Sequence, residues 1–178
     1  MARRAGVTLI EMVVVLALVA LVVSIGVPPA DALDGPRLDA ASSEIREACR
    51  FAQAAALRGG AWYAVDFDPA SQVVRVYRLD AYYAEDTSVT VMHPVDKGAY
   101  RIAFGAGALD VAIVSAVFQY SNSTTTRTLA YGPDGLPAAG LDSGGNAVTL
   151  KNDGLVTLRH GRTVRRVTID AAMGKVTF

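Results

Sequence analysis

The chain opens on an almost unbroken apolar run. Met12 to Val27 is sixteen residues with only Ser24 and Gly26 outside the apolar set. Counted from Val7 to Val27 the run is 21 residues, and as a helix it spans about 31 Å, one bilayer core. Gly26-Val27-Pro28-Pro29 should kink or break that helix, with Pro28 as the kink, because proline removes a backbone donor and clashes with the preceding turn. Asp31 to Pro36 reads as a short irregular link. From Leu38 to Arg58 apolar residues recur as Leu38, Ala41, Ile45, Ala48, Ala52 and Ala55, the three-and-four spacing of an amphipathic helix. Gly59-Gly60 stops it.

Beyond Gly60 the period falls to two. Strands are expected over Trp62–Phe67 and Val73–Leu79, around the turn Asp68-Pro69-Ala70-Ser71, with shorter ones over Tyr100–Phe104 and Ala116–Tyr120. Asp80 to Lys97 is a polar and aromatic insertion. Leu129-Ala130-Tyr131 leads into the loop Gly132-Pro133-Asp134-Gly135. Ala147–Lys151, Leu155–Arg159, Thr163–Ile169 and Lys175–Phe178 close the chain. Their turns, Asn152-Asp153-Gly154, His160-Gly161-Arg162 and Ala172-Met173-Gly174, have suitable chemistry. The expected fold class is α+β: a long N-terminal helix, membrane-spanning in its first half and amphipathic in its second, packed on an antiparallel β domain.

Charge sharpens the reading of the first run. Arg3 and Arg4 precede it, and no Lys or Arg follows until Arg37, so the N-terminus should stay cytoplasmic. A secretory signal peptide also has a basic start and an apolar stretch, and Pro28-Pro29-Ala30-Asp31-Ala32 loosely supplies a cleavage site. Such a peptide has no use for Glu11. An ionisable group costs about 2.5–3.5 kcal/mol at mid-bilayer on insertion scales, and less near the interface. A carboxylate kept there calls for a partner.

Overall the chain is balanced, with 17 basic and 17 acidic residues among 178. It is no polycation seeking nucleic acid by bulk charge. The length suits one core plus an anchor. A single cysteine, Cys49, excludes an intrachain disulfide.

Gly6-Val7-Thr8-Leu9-Ile10-Glu11-Met12-Val13-Val14-Val15-Leu16 resembles the processing site of type IV pilins and type II secretion pseudopilins. One departure is Val7, where the family usually has Phe. The resemblance implies a leader over residues 1–6, cleavage between Gly6 and Val7 by a prepilin peptidase, and methylation at Val7. It implies a transmembrane and assembly helix over 7–29, then a link and amphipathic helix over 30–60 and a β domain over 61–178. Losing Arg3 and Arg4 with the leader shifts the balance from 17 against 17 to 15 basic against 17 acidic, formally −2. In the mature chain Glu11 would lie one turn from the helix start, where four backbone N–H groups lack intrahelical partners. It can cap its own helix, or pair with the Val7 amine of its own or a neighbouring subunit. The resemblance favours the neighbour, which makes Glu11 an assembly residue.

The segment from Ala48 to Gly60 running into the Trp62–Phe67 strand, the Tyr131-Gly132-Pro133-Asp134-Gly135 turn, and the closing Met173-Gly174-Lys175-Val176-Thr177-Phe178 are similar to the GspH/FimT type of minor pseudopilin. That implies a subunit of the type II secretion pseudopilus, anchored in the inner membrane with its C-terminal domain periplasmic. Its partners would be other pseudopilins or pilins, the prepilin peptidase and the inner-membrane assembly platform. The alternative is a minor pilin of a type IV pilus system that contacts DNA. Lys151 to Phe178 holds six basic residues against Asp153 and Asp170, and Arg159, Arg162, Arg165 and Arg166 would make the contact. Strand alternation sends Arg165 and Arg166 to opposite faces, which splits that patch.

No catalytic constellation stands out. His93 and His160 lack metal-ligand spacing and read as surface or loop residues. Cys49 reads as a small packing residue among alanines, and Trp62 as core or sheet-edge packing. Ser121 has no nucleophile elbow around it. Asp134, Asp142 and Asn146 lie among glycines but lack the oxygen spacing of a calcium loop. Neither a metal nor a cofactor is expected.

Overall fold

The computed structural model describes residues 8–26, 34–107 and 109–178, with side chains described as far as Leu21 in the first helix. The chain forms two compact units that divide between Leu33 and Asp34. The first contains α1 (Leu9–Gly26). Thr8 starts it: its carbonyl accepts from the N–H of Glu11 at 3.0 Å and of Met12 at 3.2 Å. Its hydroxyl accepts from the Glu11 N–H at 3.3 Å, as an N-cap threonine does in front of a glutamate three residues on. Apolar side chains surround the axis, and the large ones from Leu9 to Leu21 are all more than half exposed.

Among the described residues no helix is long and apolar enough to cross a membrane. α1 as described runs 18 residues, about 27 Å against the ~30 Å of a hydrocarbon core. The residues that would lengthen it, Val7 and 27–29, lie outside the described residues. So do the cleavage site at Gly6 and the kink at Pro28.

The second unit opens with α2 (Asp34–Gly59). This corrects the expected link over Asp31–Pro36, whose last three residues are already helical. Pro36 reads as a breaker, but in a first turn its missing N–H costs nothing and its fixed φ suits the helix. The helix ends as expected, with Gly60 at φ 58°, a left-handed value that glycine adopts without strain. The anticipated stripe Leu38, Ala41, Ile45, Ala48, Ala52 and Ala55 is buried, joined by Ser42, Cys49 and Ala56. Ser42 satisfies its hydroxyl on the Leu38 carbonyl at 2.7 Å.

This stripe packs on antiparallel strands, which are β1 (Tyr63–Asp68), β2 (Val73–Arg78), β3 (Arg101–Ala103), β4 (Ala112–Gln119), β5 (Thr125–Thr126), β6 (Thr128–Tyr131), β7 (Ala138–Leu141), β8 (Ala147–Thr149), β9 (Gly154–His160), β10 (Thr163–Ile169) and β11 (Val176–Thr177). One sheet has the order β3-β2-β1-β6, a second β11-β10-β9-β4-β5, and β7-β8 form a small pair. α2 touches both larger sheets, through β1, β2 and β6 and through β9, β10 and β11. The core between them holds Val65, Phe67, Phe118, Leu129, Val156, Leu158, Val167 and Ile169, all fully buried. Trp62 packs edge-on to Tyr83, ring centroids 5.2 Å apart, over a smaller cluster of Ala64, Leu79 and Ala130.

Two expectations need correction. β4 begins at Ala112, four residues before the anticipated Ala116, and a register shift between Ile113 and Ser115 breaks its alternation. Leu129-Ala130-Tyr131 is itself a strand, pairing with β1 as Tyr63↔Tyr131 and Val65↔Leu129. The Asp80–Lys97 insertion is a set of turns joined to the sheet by single bridges, Leu79↔Glu85 and Met92↔Ala99.

Cys49 sits mid-stripe, 1% exposed. Burial pushes its thiol up to about 12, with Tyr131 opposing weakly. At pH 8 native Cys49 should react with an aromatic disulfide reagent at least ~10³-fold slower than a free cysteine, because the thiolate is the reactive form. Absorbance at native and denaturing conditions reads this directly.

Candidate functional site

Of the residues singled out at the N-terminus, Glu11 is the one among the described residues. It stands in the first turn of α1, its backbone N–H already held by Thr8. Its carboxylate is exposed and meets no cation among the described residues. The turn thus presents one carboxylate at the head of a cylinder whose other side chains are apolar from Leu9 to Leu21. That arrangement can receive a positive charge from outside the chain.

The four arginines of the basic segment are not equivalent. The β9–β10 pairing sets Arg159 opposite Val164 and Arg165 opposite Leu158. Leu158 faces the core, so Arg165 does too, and there it pairs with Asp39 of α2. Arg159, Val164 and Arg166 share the outer face, and Arg162 lies in the turn. Arg159, Arg162 and Arg166 are exposed and have no acidic partner among the described residues.

The hairpin is fastened to the start of α2 by a cluster that periodicity did not reveal. Arg37 has only donors, so its 2.8 Å contact with His160 Nε2 makes that nitrogen the acceptor. Nδ1 therefore carries the proton and donates to Asp34 Oδ1 at 2.7 Å. Thr163 donates to Asp34 Oδ2 at 3.0 Å. Asp110 lies 3.6 Å from Arg37. This corrects the expectation for His160: its side chain is only 15% exposed. His93 is also drawn in, edge-on to Tyr100 at 4.7 Å. The one hint in the sequence was Asp34 two residues before Pro36, a helix-start pattern.

The hydrogen bond from His160 holds the Asp34 carboxyl below its ordinary range; burial works against it, and Thr163 and the Arg37 charge add to it. A carboxyl lowered on folding stabilises the fold above its unfolded value and loses that contribution as pH falls through the folded one. Asp34→Asn should therefore lower Tm by several degrees at pH 7. The gap from the parent should close below about pH 4. Thermal melts across pH measure both.

The other oxygen-rich positions are used locally. Asp142 Oδ1 accepts from the N–H of Gly144 and of Asn146, both at 2.8 Å. Asp134 accepts from Leu136 N–H at 3.0 Å, in a separate turn. Among the described residues no group of three His, Cys, Asp or Glu is placed to hold a metal. A buried ionic site does occur on β1: Asp66, 4% exposed, receives Arg127 at 3.0 Å, Arg75 at 3.5 Å and the Thr128 hydroxyl at 3.2 Å. It fastens β2 and β6 to β1.

Residues 1–27 match the family model of the prokaryotic N-terminal methylation motif. That match supports a type IV pilin-like protein. The pilin-like motif implies processing by prepilin peptidase and assembly with other pilins, and it is consistent with inner-membrane anchoring. No curated protein matches the chain, and no solved structure does. The fold, a helix packed on antiparallel sheets, is consistent with a pilin-like protein.

Proposed function

We propose that this chain is a minor pseudopilin of the GspH/FimT type, a non-catalytic subunit of a type II secretion pseudopilus that supports protein export. It is cleaved between Gly6 and Val7, held in the inner membrane by residues 7–29, and carries the Asp34–Phe178 domain in the periplasm. It joins the filament when Glu11 receives the Val7 amine of an adjacent subunit. The inner-membrane assembly platform would feed it into the filament.

The observation that carries this reading is the head of α1. A single carboxylate stands in the first turn of a helix whose other side chains from Leu9 to Leu21 are all apolar, and it has no cation among the described residues. In an apolar surrounding, a neighbour's amine neutralises both charges and sets the axial register between subunits. An unpaired charge there is expensive.

Mass spectrometry of the membrane-extracted protein tests the reading. The expected N-terminus is Val7, one methyl group heavier than the unmodified residue. A mature chain beginning near Asp31 would be a secreted product of a signal peptide, and the proposal would fail.

A further inference from the structure

The basic hairpin lies at a defined end of the domain. Three of its residues surround one carboxylate of the first residue of α2. His160 and Thr163 bond Asp34 at 2.7 and 3.0 Å, and a Cβ on Gly161 would stand 3.5 Å from Asp34 Oδ2. Arg165 makes a further tie one turn along, to Asp39. The hairpin tip is thus fixed where the chain enters the domain.

Charge at this end is uneven. This end carries five arginines, Arg37, Arg159, Arg162, Arg165 and Arg166, against three aspartates, Asp34, Asp39 and Asp110. All three aspartates are engaged, with His160, Arg165 and Arg37 respectively. The three arginines left over are the exposed ones, and Val164 stands among them 54% exposed. Exposed cations around an apolar side chain suit the region where phosphate headgroups meet acyl chains.

We propose that the β9–β10 hairpin is a membrane-surface contact, with Arg159, Arg162 and Arg166 on anionic phospholipid headgroups and Val164 between them. This rests on the reading above, in which residues 7–29 are held in the bilayer. The contact seats the domain against the membrane before the subunit leaves it for the filament. Nucleic acid could use the same cations. The exposed Val164 among them favours a lipid surface, whose acyl layer can receive an apolar side chain.

The test uses the full chain carrying Val164→Cys, labelled with a fluorophore and reconstituted into vesicles that contain a headgroup-attached quencher. Cys49 is buried and stays unlabelled. The vesicles are phosphatidylcholine alone, or phosphatidylcholine with about one third phosphatidylglycerol. Quenching is expected in the anionic vesicles and not in the neutral ones. It should fade at ~1 M salt, where the screening length falls to about 3 Å. Each arginine at an anionic surface is worth about fivefold, so the triple variant Arg159→Gln, Arg162→Gln, Arg166→Gln should lower the docked-to-free ratio about a hundredfold. Equal quenching in both vesicle types, or an unaffected triple variant, overturns the proposal. Flotation of the same samples separates the two ideas: a chain that floats but is not quenched loses only the hairpin contact, whereas one that does not float loses the anchor as well. Salt-sensitive binding of a short DNA duplex without headgroup quenching would assign the arginines to nucleic acid instead.

Discussion

Glu11→Leu is expected to abolish incorporation into filaments while leaving the Asp34–Phe178 domain folded and processing largely intact. The two units divide at Leu33, and the core of the second is built from residues between Leu38 and Val176. The substitution removes the one charge from an otherwise apolar helix, so it favours membrane residence and harms only what the carboxylate does for others. In an assembled array it would leave a neighbour's amine buried and unpaired. Removing one partner of a buried ion pair costs about 3–5 kcal/mol, or roughly 10²- to 5 × 10³-fold in incorporation at each contact. Immunoblots of sheared filament fractions, with N-terminal mass spectrometry on the membrane fraction, read assembly and processing separately. Normal incorporation of Glu11→Leu would reduce Glu11 to a cap of its own helix.

Gly154→Ala should be the most damaging single methyl in the β domain. Gly154 opens β9 and is buried, and an added Cβ would lie 2.4 Å from Cδ1 and Cε1 of Phe118 and 3.5 Å from Cβ of Ile169. Phe118 is fully buried and already tilted against Phe67, centroids 5.6 Å apart, so the ring can yield only by displacing buried neighbours. Overpacking costs about 1–3 kcal/mol and occasionally more; this site belongs at the upper end. For a domain of this size Tm should fall by roughly 10 °C. Phe118→Leu, harmful alone, should be better tolerated in the Gly154→Ala background, a coupling that a double-mutant cycle would detect. An unchanged Tm for Gly154→Ala would mean that β9 can move away from Phe118 at little cost.

Much of this architecture could be read from patterning alone. The α2 stripe is long and strictly spaced, and β10 runs over Thr163–Ile169 as its alternation indicates. The failures have local causes. Pro36 reads as a breaker unless the helix start is already known. β5 and β6 are short and rich in threonine, so they show no period, and they exist because β4 and β1 offer them edges. The bulge in β4 shifts the phase at Val114, which hid the first half of the strand. The head of α1 was legible because its chemistry lies within a few consecutive residues. The Asp34–His160 cluster joins positions 126 apart in the chain. The segregation of Arg165 from its neighbours was half visible, since alternation separates it from Arg166, but Asp39 as its partner comes only from the packing of α2.

Gln53 has a mechanical consequence. Its amide donates to the carbonyls of Gly135, at 2.8 Å, and Met173, at 2.9 Å, so one side chain in the second half of α2 grips two loops from different parts of the β domain. The start of the same helix is clasped by the β9–β10 turn. A pull arriving at Asp34 would therefore load several strands together, in shear and not by peeling them away one at a time. A subunit so built would pass tension through its body as a stiff link.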